Sequence, residues 1–186
     1  ENYTIKNISF SMLGLHNIQN ALASISIALE LNIKPDIIKL ALKNFNGVQR
    51  RFQLIDTYKH TKIIDDYGHH PEEIKAALSA TKLIAEKSKV LAIFQPHRYS
   101  RLKNHFNEFC SCFNDADEVI LLNVYAAGEK KIANCNNIDL ENGIRNYGHK
   151  KVSSVTNDID IYKTILEKIN NYQIIIFLGA GNITKI

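Results

Sequence analysis

The sequence predicts an α/β fold: a Rossmann-like, mostly parallel sheet with helices on both faces, preceded by a separate helical segment. Three observations carry this expectation. From Arg51 onward, short strand-like runs alternate with helical stretches. Two of those runs, Val90–Phe94 and Gln173–Leu178, are almost unbroken apolar stretches, as strands covered on both faces require. Before Arg51 the pattern is purely helical, and Gly47–Arg50 is the best candidate boundary between the two parts.

Taken in order, Ile18, Ala21, Leu22, Ile25, Ala28 and Leu29 recur at helical spacing and predict an amphipathic helix from Asn17 to about Leu31. Asn17 stands where an N-cap belongs, and Gly14 allows the sharp turn before it. Pro35 opens a second helix, Asp36 to Asn44, with Gly47 beyond it. Phe52–Tyr58 and Lys62–Asp65 read as strands, and Pro71–Glu86 as a helix with acidic residues in its first turn. Strand Val90–Phe94 precedes a helix around Leu102–Phe113. Strands Val119–Leu122 and Lys151–Val155 follow, then a helix from Asp158 to about Asn170 and strand Gln173–Leu178. After Gly179-Ala180-Gly181 the chain runs only to Ile186, too short for the helix expected after such a turn.

With 186 residues, 45% hydrophobic and 23% charged, the chain fits one soluble domain, or one domain with an attached piece of another. Its net charge of +4 is mild and its lysines are scattered, with no basic, aromatic-interleaved stripe of the kind nucleic acid requires. The three cysteines (Cys110, Cys112 and Cys135) have no metal-ligand spacing and read as reduced cytosolic thiols. Apolar stretches such as Ile174–Leu178 are too short to span a membrane, so a cytoplasmic protein is expected.

In an open α/β sheet, ligands bind at the carboxyl ends of strands, and the polar residues concentrate there. Asp65-Asp66-Tyr67-Gly68-His69-His70 follows one strand, Gln95-Pro96-His97-Arg98-Tyr99-Ser100-Arg101 another, and Asn123 to Glu129 a third. The last strand runs into Gly179-Ala180-Gly181-Asn182, a possible glycine turn for close backbone approach. Of the adjacent Asp65 and Asp66, only one can face a ligand directly, where it would suit ribose hydroxyls; the other reading is a helix-capping Asp. His69 and His70 could hydrogen-bond substrate or cap the helix that Pro71 starts, and adjacent histidines rarely converge on one metal ion. Arg98 and Arg101, three apart at a helix start beside His97, suit bidentate recognition of carboxylate or phosphate. Asn17 and Asn20 share a helix face, and a carboxamide matches the edge of adenine.

These motifs, in this order, resemble the Mur ligases of bacterial peptidoglycan synthesis, in particular the branch acting on UDP-N-acetylmuramate and L-alanine. The matching strings are Gly14 to Ala21, Gly47 to Phe52, Asp65 to Pro71, Phe94 to Arg101 and Val124 to Glu129. The resemblance implies a three-domain, ATP- and Mg²⁺-dependent enzyme. In it, residues 1–46 end the central ATP-binding domain and residues 47–186 form the third domain. It implies that Asn17 and Asn20 contact adenine with His16 beside them, and that Arg51 and Asp66 contact the nucleotide, Asp66 through the ribose. Tyr67, His69, His97, Arg98 and Arg101 would face L-alanine and the muramoyl group. The implied partners are UDP-N-acetylmuramate, L-alanine, ATP and the remaining ligase domains, with neither nucleic acid nor membrane. Two departures are Asn182, where Asp is usual, and Glu72, where Thr is common. No G-x-x-x-x-G-K-[ST] string occurs, so a piece of a longer chain, inactive alone, is expected. Three other readings remain at this point: a muropeptide-recycling relative, a self-sufficient nucleotide module using Gly179–Gly181, and a metal-dependent hydrolase built on Asp65, Asp66, His69 and His97.

Overall fold

The computed structural model describes residues 4–12 and 14–185. Its Cα framework divides into two compact units, residues 1–49 and 50–186.

The first unit holds helices α1 (Leu15–Glu30) and α2 (Pro35–Asn44). Helix α1 starts two residues before the position expected for its cap. Gly14, at φ 97°, occupies the N-cap, and its carbonyl accepts the N–H groups of Asn17 and Ile18. Asn17 therefore lies inside the first turn and is not the cap. No side chain caps the helix, and glycine reaches the Gly14 conformation without a Cβ clash. Asn32, at φ 58°, turns the chain after α1, and Pro35 presets the first position of α2. Gly47, at φ 87°, packs so closely that a Cβ there would come within 2.8 Å of Met12 Sδ.

The second unit is a sheet with strand order β1-β2-β6-β3-β4-β5. Its strands are β1 (Gln53–Tyr58), β2 (Thr61–Asp66), β3 (Val90–Phe94), β4 (Glu118–Leu121), β5 (Val152–Ser154) and β6 (Ile174–Leu178). Strand β1 is an antiparallel edge, mostly exposed, while the other pairings are parallel. Helices α3 (Pro71–Ala85), α4 (Tyr99–Asn104), α5 (Phe106–Ser111), α6 (Asn137–Asn146) and α7 (Asp158–Lys168) connect the strands.

Strand alternation explains the unbroken apolar runs. On β3, Val90, Ala92 and Phe94 join a core with Leu78, Phe109 and Leu140, whereas Leu91 and Ile93 join the opposite core with Ile120, Ile161 and Ile175. The first core lies under α3–α6 and the second under α7. The single helix expected around Leu102–Phe113 is instead two, bent at His105 (φ −121°, ψ 29°). The bend sets Phe109 and Phe113 against Phe94, with ring centroids 5.6 and 5.4 Å away. Beyond β6, a 3-10 turn at Ile183–Lys185 buries Ile183 in the second core.

Leu78 is fully buried while Leu83, on the same helix, is 74% exposed. Leu78→Ala is expected to cost about 2–5 kcal/mol in chemical denaturation. Leu83→Ala should stay within about 0.5 kcal/mol.

Candidate functional site

Because β2, β6, β3 and β4 are parallel neighbours, their carboxyl ends form one continuous rim. The chain enters that rim at Arg50, whose backbone takes φ 60° and whose N–H donates to Gln53 Oε1 at 2.9 Å. The Arg50 guanidinium donates from Nε to Asp65 Oδ2 (3.3 Å), from Nη1 to the Gly181 carbonyl (3.4 Å), and from Nη2 to the Gly179 carbonyl. It also lies over the Tyr67 ring, 5.1 Å from its centroid, and the Arg50 carbonyl accepts the Tyr67 N–H at 2.6 Å. One side chain thus ties β2, the loop after β2 and the turn after β6. The sequence reading did not single out Arg50; its only signal was the Arg50-Arg51 doublet.

The two aspartates divide as strand alternation requires. Asp65 faces Arg50, and burial pushes its carboxyl above the ordinary carboxylate range against the pull of the Arg50 charge. Its Oδ1 is buried with no hydrogen-bond partner among the described residues. Asp66 accepts the Phe52 N–H at Oδ2 (2.8 Å) and the Gly68 N–H at Oδ1 (2.7 Å). A ribose hydroxyl at Asp66 would therefore be a further donor to oxygens already engaged.

Beyond Gly68, Glu73 on α3 organises the histidine pair. Its Oε2 accepts the N–H groups of His69 (3.0 Å) and His70 (3.1 Å) and lies 3.5 Å from His69 Nδ1. Burial opposes its ionisation, but the two backbone donors, then His69 and Arg51, prevail and hold the carboxyl below the ordinary range. His70 occupies the N-cap of α3, its ring edge-on to His105 at 4.6 Å, whereas His69 Nδ1 turns to the Tyr67 carbonyl at 2.9 Å. Arg51 is half-exposed, 3.9 Å from Glu73 and 5.5 Å from the Tyr67 ring centroid.

At the end of β3 the strand pairing resumes once more between His97 and Tyr125. Tyr125 N–H donates to Pro96 O, and Arg98 N–H donates to Tyr125 O. The His97 and Tyr125 rings stack at 5.5 Å and 12°. His69 meets His97 at 5.8 Å, and Tyr67 meets His69 at 5.1 Å, so four rings cross the rim in one row. Arg101 Nη1 folds back onto His97, donating to its Nδ1 (3.2 Å) and carbonyl (3.1 Å). Burial, then the charges of Arg101, His69 and Arg98, push the His97 imidazole below its ordinary pKa. Arg98 is not inside the helix with Arg101. It is the exposed N-cap of α4 at φ 71°, and Arg101 lies in the first turn of that helix. Glu129 also escaped the sequence reading; it accepts from Ser100 N (2.9 Å) and Oγ (2.6 Å) and so fastens the start of α4.

The structure thus brings Tyr67, His69, His97, Arg98, Arg101, Arg51 and Asp66 together on or beside the rim. His16, Asn17 and Asn20 lie on the first turns of α1 in the other unit. The glycine turn points its carbonyls at Arg50, and the Gly179 N–H is already given to Asp66 O at 3.1 Å. That arrangement is opposite in polarity to a phosphate-cradling nest. A Cβ at Gly181 would fall 2.4 Å from Gln95 Oε1 and 2.8 Å from Tyr125 Cγ, so only glycine fits there. Gln95 in turn donates from Nε2 to Asn182 Oδ1 at 2.9 Å. Among the described residues, no three His, Cys, Asp or Glu side chains come together as metal ligands, and no helix is long and apolar enough to cross a membrane.

A parallel sheet with an inserted last strand, a tied glycine turn and an Arg–His–Tyr rim matches a known class. The pattern of the Mur ligase, glutamate ligase domain fits residues 50–181, and the chain belongs to the Mur ligase family. Within it, the chain is similar to the UDP-N-acetylmuramate–L-alanine ligase of Phenylobacterium zucineum, with 44% identity over 174 residues, 94% of this chain and 36% of that protein. The corresponding ligase of Bartonella tribocorum is 45% identical over 181 residues, 97% of this chain and 38% of that protein. The crystal structure of UDP-N-acetylmuramate–alanine ligase from Thermotoga maritima superposes with a TM-score of 0.75 at 29% identity, covering 96% of this chain and 37% of that one. A murein peptide ligase from Psychrobacter arcticus, at 23% identity and TM-score 0.70, shares the fold. The chain spans less than two fifths of the length of these curated relatives.

Two outcomes follow from the geometry. Arg50→Met, which strands the Asp65 carboxylate, should destabilise by about 3 kcal/mol. Adding Asp65→Asn should recover part of that loss, with a double-mutant interaction energy of about 1 kcal/mol or more. The folded Glu73 carboxyl binds its proton less tightly than the unfolded one, so its stabilising effect is present at neutral pH and lost as pH falls through its lowered pKa. Glu73→Gln should therefore flatten the acid limb of a stability-versus-pH curve measured by denaturation.

Proposed function

We propose that this chain is the carboxy-terminal part of an ATP-dependent ligase that joins L-alanine to UDP-N-acetylmuramate. Residues 1–46 would end its central ATP-binding domain and residues 47–186 form the domain that closes over the substrates. The observation that carries the reading is the rim where Arg101 and His97 are fastened together beside Arg98, with Tyr67, His69 and Tyr125 in one row. A fixed guanidinium beside polar rings suits a small zwitterion: carboxylate on the arginines, amine on the histidine row. The similarity to L-alanine-adding ligases over almost the whole chain supports the same substrate.

In such a reaction the muramoyl carboxylate attacks the γ-phosphate of ATP, giving an acyl phosphate and ADP. The amine of L-alanine then displaces phosphate through a tetrahedral intermediate. Positioning and charge neutralisation dominate catalysis of this type. His97, Arg98 and Arg101 would hold L-alanine and the muramoyl portion, with Tyr67 and His69 beside them. Arg51 and Asp66 would meet the nucleotide, and His16, Asn17 and Asn20 its adenine. The sequence has no phosphate-binding loop, so the ATP phosphates and their Mg²⁺ would be held mainly by the rest of the enzyme. When bound, Mg²⁺ would neutralise the phosphate charges. The activated sugar nucleotide and ATP are cytoplasmic metabolites, which places the enzyme there.

The parent enzyme is expected to release phosphate from ATP only with UDP-N-acetylmuramate and L-alanine together, and the isolated 186 residues to release none. Turnover by the isolated chain, or a parent that needs a tripeptide in place of L-alanine, would sink the reading. Arg101→Lys should raise KM for L-alanine at least about tenfold, because a point charge cannot replace the planar fork.

A further inference from the structure

His69 and His97 stand side by side on the rim, and their surroundings fix opposite tautomers. An arginine cannot accept a hydrogen bond, so the 3.2 Å contact from Arg101 Nη1 makes His97 Nδ1 the acceptor and leaves the ring proton on Nε2. A carbonyl cannot donate, so the 2.9 Å contact with Tyr67 O makes His69 Nδ1 the donor. The neutral His69 ring then carries its lone pair on Nε2. Behind it, Glu73 Oε2 sits 3.5 Å from Nδ1, held in place by the N–H groups of His69 and His70. The carbonyl and the carboxylate together orient the ring through Nδ1 and leave Nε2 to face a ligand.

We infer that His69 is the general base that deprotonates the ammonium group of the incoming amino acid, with Glu73 and the Tyr67 carbonyl as positioning groups. The inference rests on the ligase reading above. An amino acid at neutral pH arrives as an ammonium with no lone pair, so a proton must leave before nitrogen can attack. His97 is unsuited to this: its Nδ1 lone pair is taken by Arg101, and burial, then the charges of Arg101, His69 and Arg98, disfavour the imidazolium. His69 faces Tyr67, Glu73 and His97, with Arg51 3.9 Å from Glu73 on the outer side. On the ligase reading, an amino acid with its carboxylate on Arg101 would offer its ammonium to the other imidazole of the row. That ring, His69, is 5.8 Å from His97.

In the step, the N–H bond of the ammonium breaks and its proton passes to His69 Nε2, giving the imidazolium. The freed electron pair forms the C–N bond at the acyl phosphate carbon as the carbonyl π pair moves onto its oxygen, giving the tetrahedral intermediate. Collapse breaks the C–O bond to phosphate, and the second nitrogen proton leaves with the phosphate. The imidazolium then returns its proton to solvent.

The test uses the full-length parent enzyme carrying His69→Asn, which keeps a donor for Tyr67 O, and separately His69→Gln. L-alanine at saturation is compared with hydroxylamine, which is neutral near pH 7 and needs no base to trap the acyl phosphate as a hydroxamate. Both variants should lose about 100-fold in kcat with L-alanine, the scale of general-base catalysis. The ratio of L-alanine to hydroxylamine turnover should fall by at least about 30-fold. If kcat at saturating L-alanine stays within about threefold and only KM rises, His69 merely binds substrate and the assignment is overturned. An equal loss with both nucleophiles overturns it as well. Wild-type enzyme that makes neither amide nor hydroxamate overturns the ligase reading itself, an outcome distinct from failure of the variants alone.

Discussion

Most of the rim depends on where the Arg50 guanidinium can be satisfied. It enters from the segment that opens the second unit, and finds a carboxylate on β2 and two carbonyls in the turn after β6. A charged fork with several donors in a half-buried position must find several acceptors, and those acceptors come from segments more than a hundred residues apart. Holding them fixes the spacing between β2 and the glycine turn, and it sets Tyr67 beneath the guanidinium face. The ring row begins at that tyrosine. A lysine, with a single point of charge, could not span the same three partners.

The second constraint is the use of backbone polarity to aim side chains. Glu73 accepts two successive N–H groups, Asp66 accepts two more, and Glu129 fastens the start of α4. Each carboxylate takes backbone donors that a loop would otherwise leave to water, so the strand-end loops are ordered without regular structure. The histidines inherit that order. His69 and His97 differ chemically only because one ring meets a carbonyl and the other a guanidinium.

Much of the fold could be read from the residues. Val90–Phe94 and Ile174–Leu178 announced buried parallel strands, since each apolar side chain, odd or even, found a covered face. The clustering of Asp65–His70 and His97–Arg101 at strand ends marked the candidate site. The misses have local causes. Asn17 has the residue type of a cap, but Gly14 holds that position and Asn17 falls inside the first turn. Leu102–Phe113 reads as one helix in periodicity, and the bend at His105 answers to the packing of Phe109 and Phe113 on Phe94. Arg98 opens the helix of Arg101 from its N-cap, where its backbone takes φ 71° and its N–H donates to Tyr125 O.

The sequence by itself determined the class of fold, the strand ends where chemistry gathers, and the family, because periodicity and motif order are properties of near neighbours along the chain. Which partner each polar group meets was decided only by the tertiary structure. Arg50 beside Gly179, His97 against Tyr125 and Glu73 behind His69 depend on strand order and loop path. That is why Arg50 stood out only as half of a doublet, and why the two rim histidines, His69 and His97, are told apart only by the atoms facing them. The glycine turn makes the same point. Its composition suggested close backbone approach to a ligand, but its carbonyls accept from a distant arginine and make it part of the frame that holds the rim.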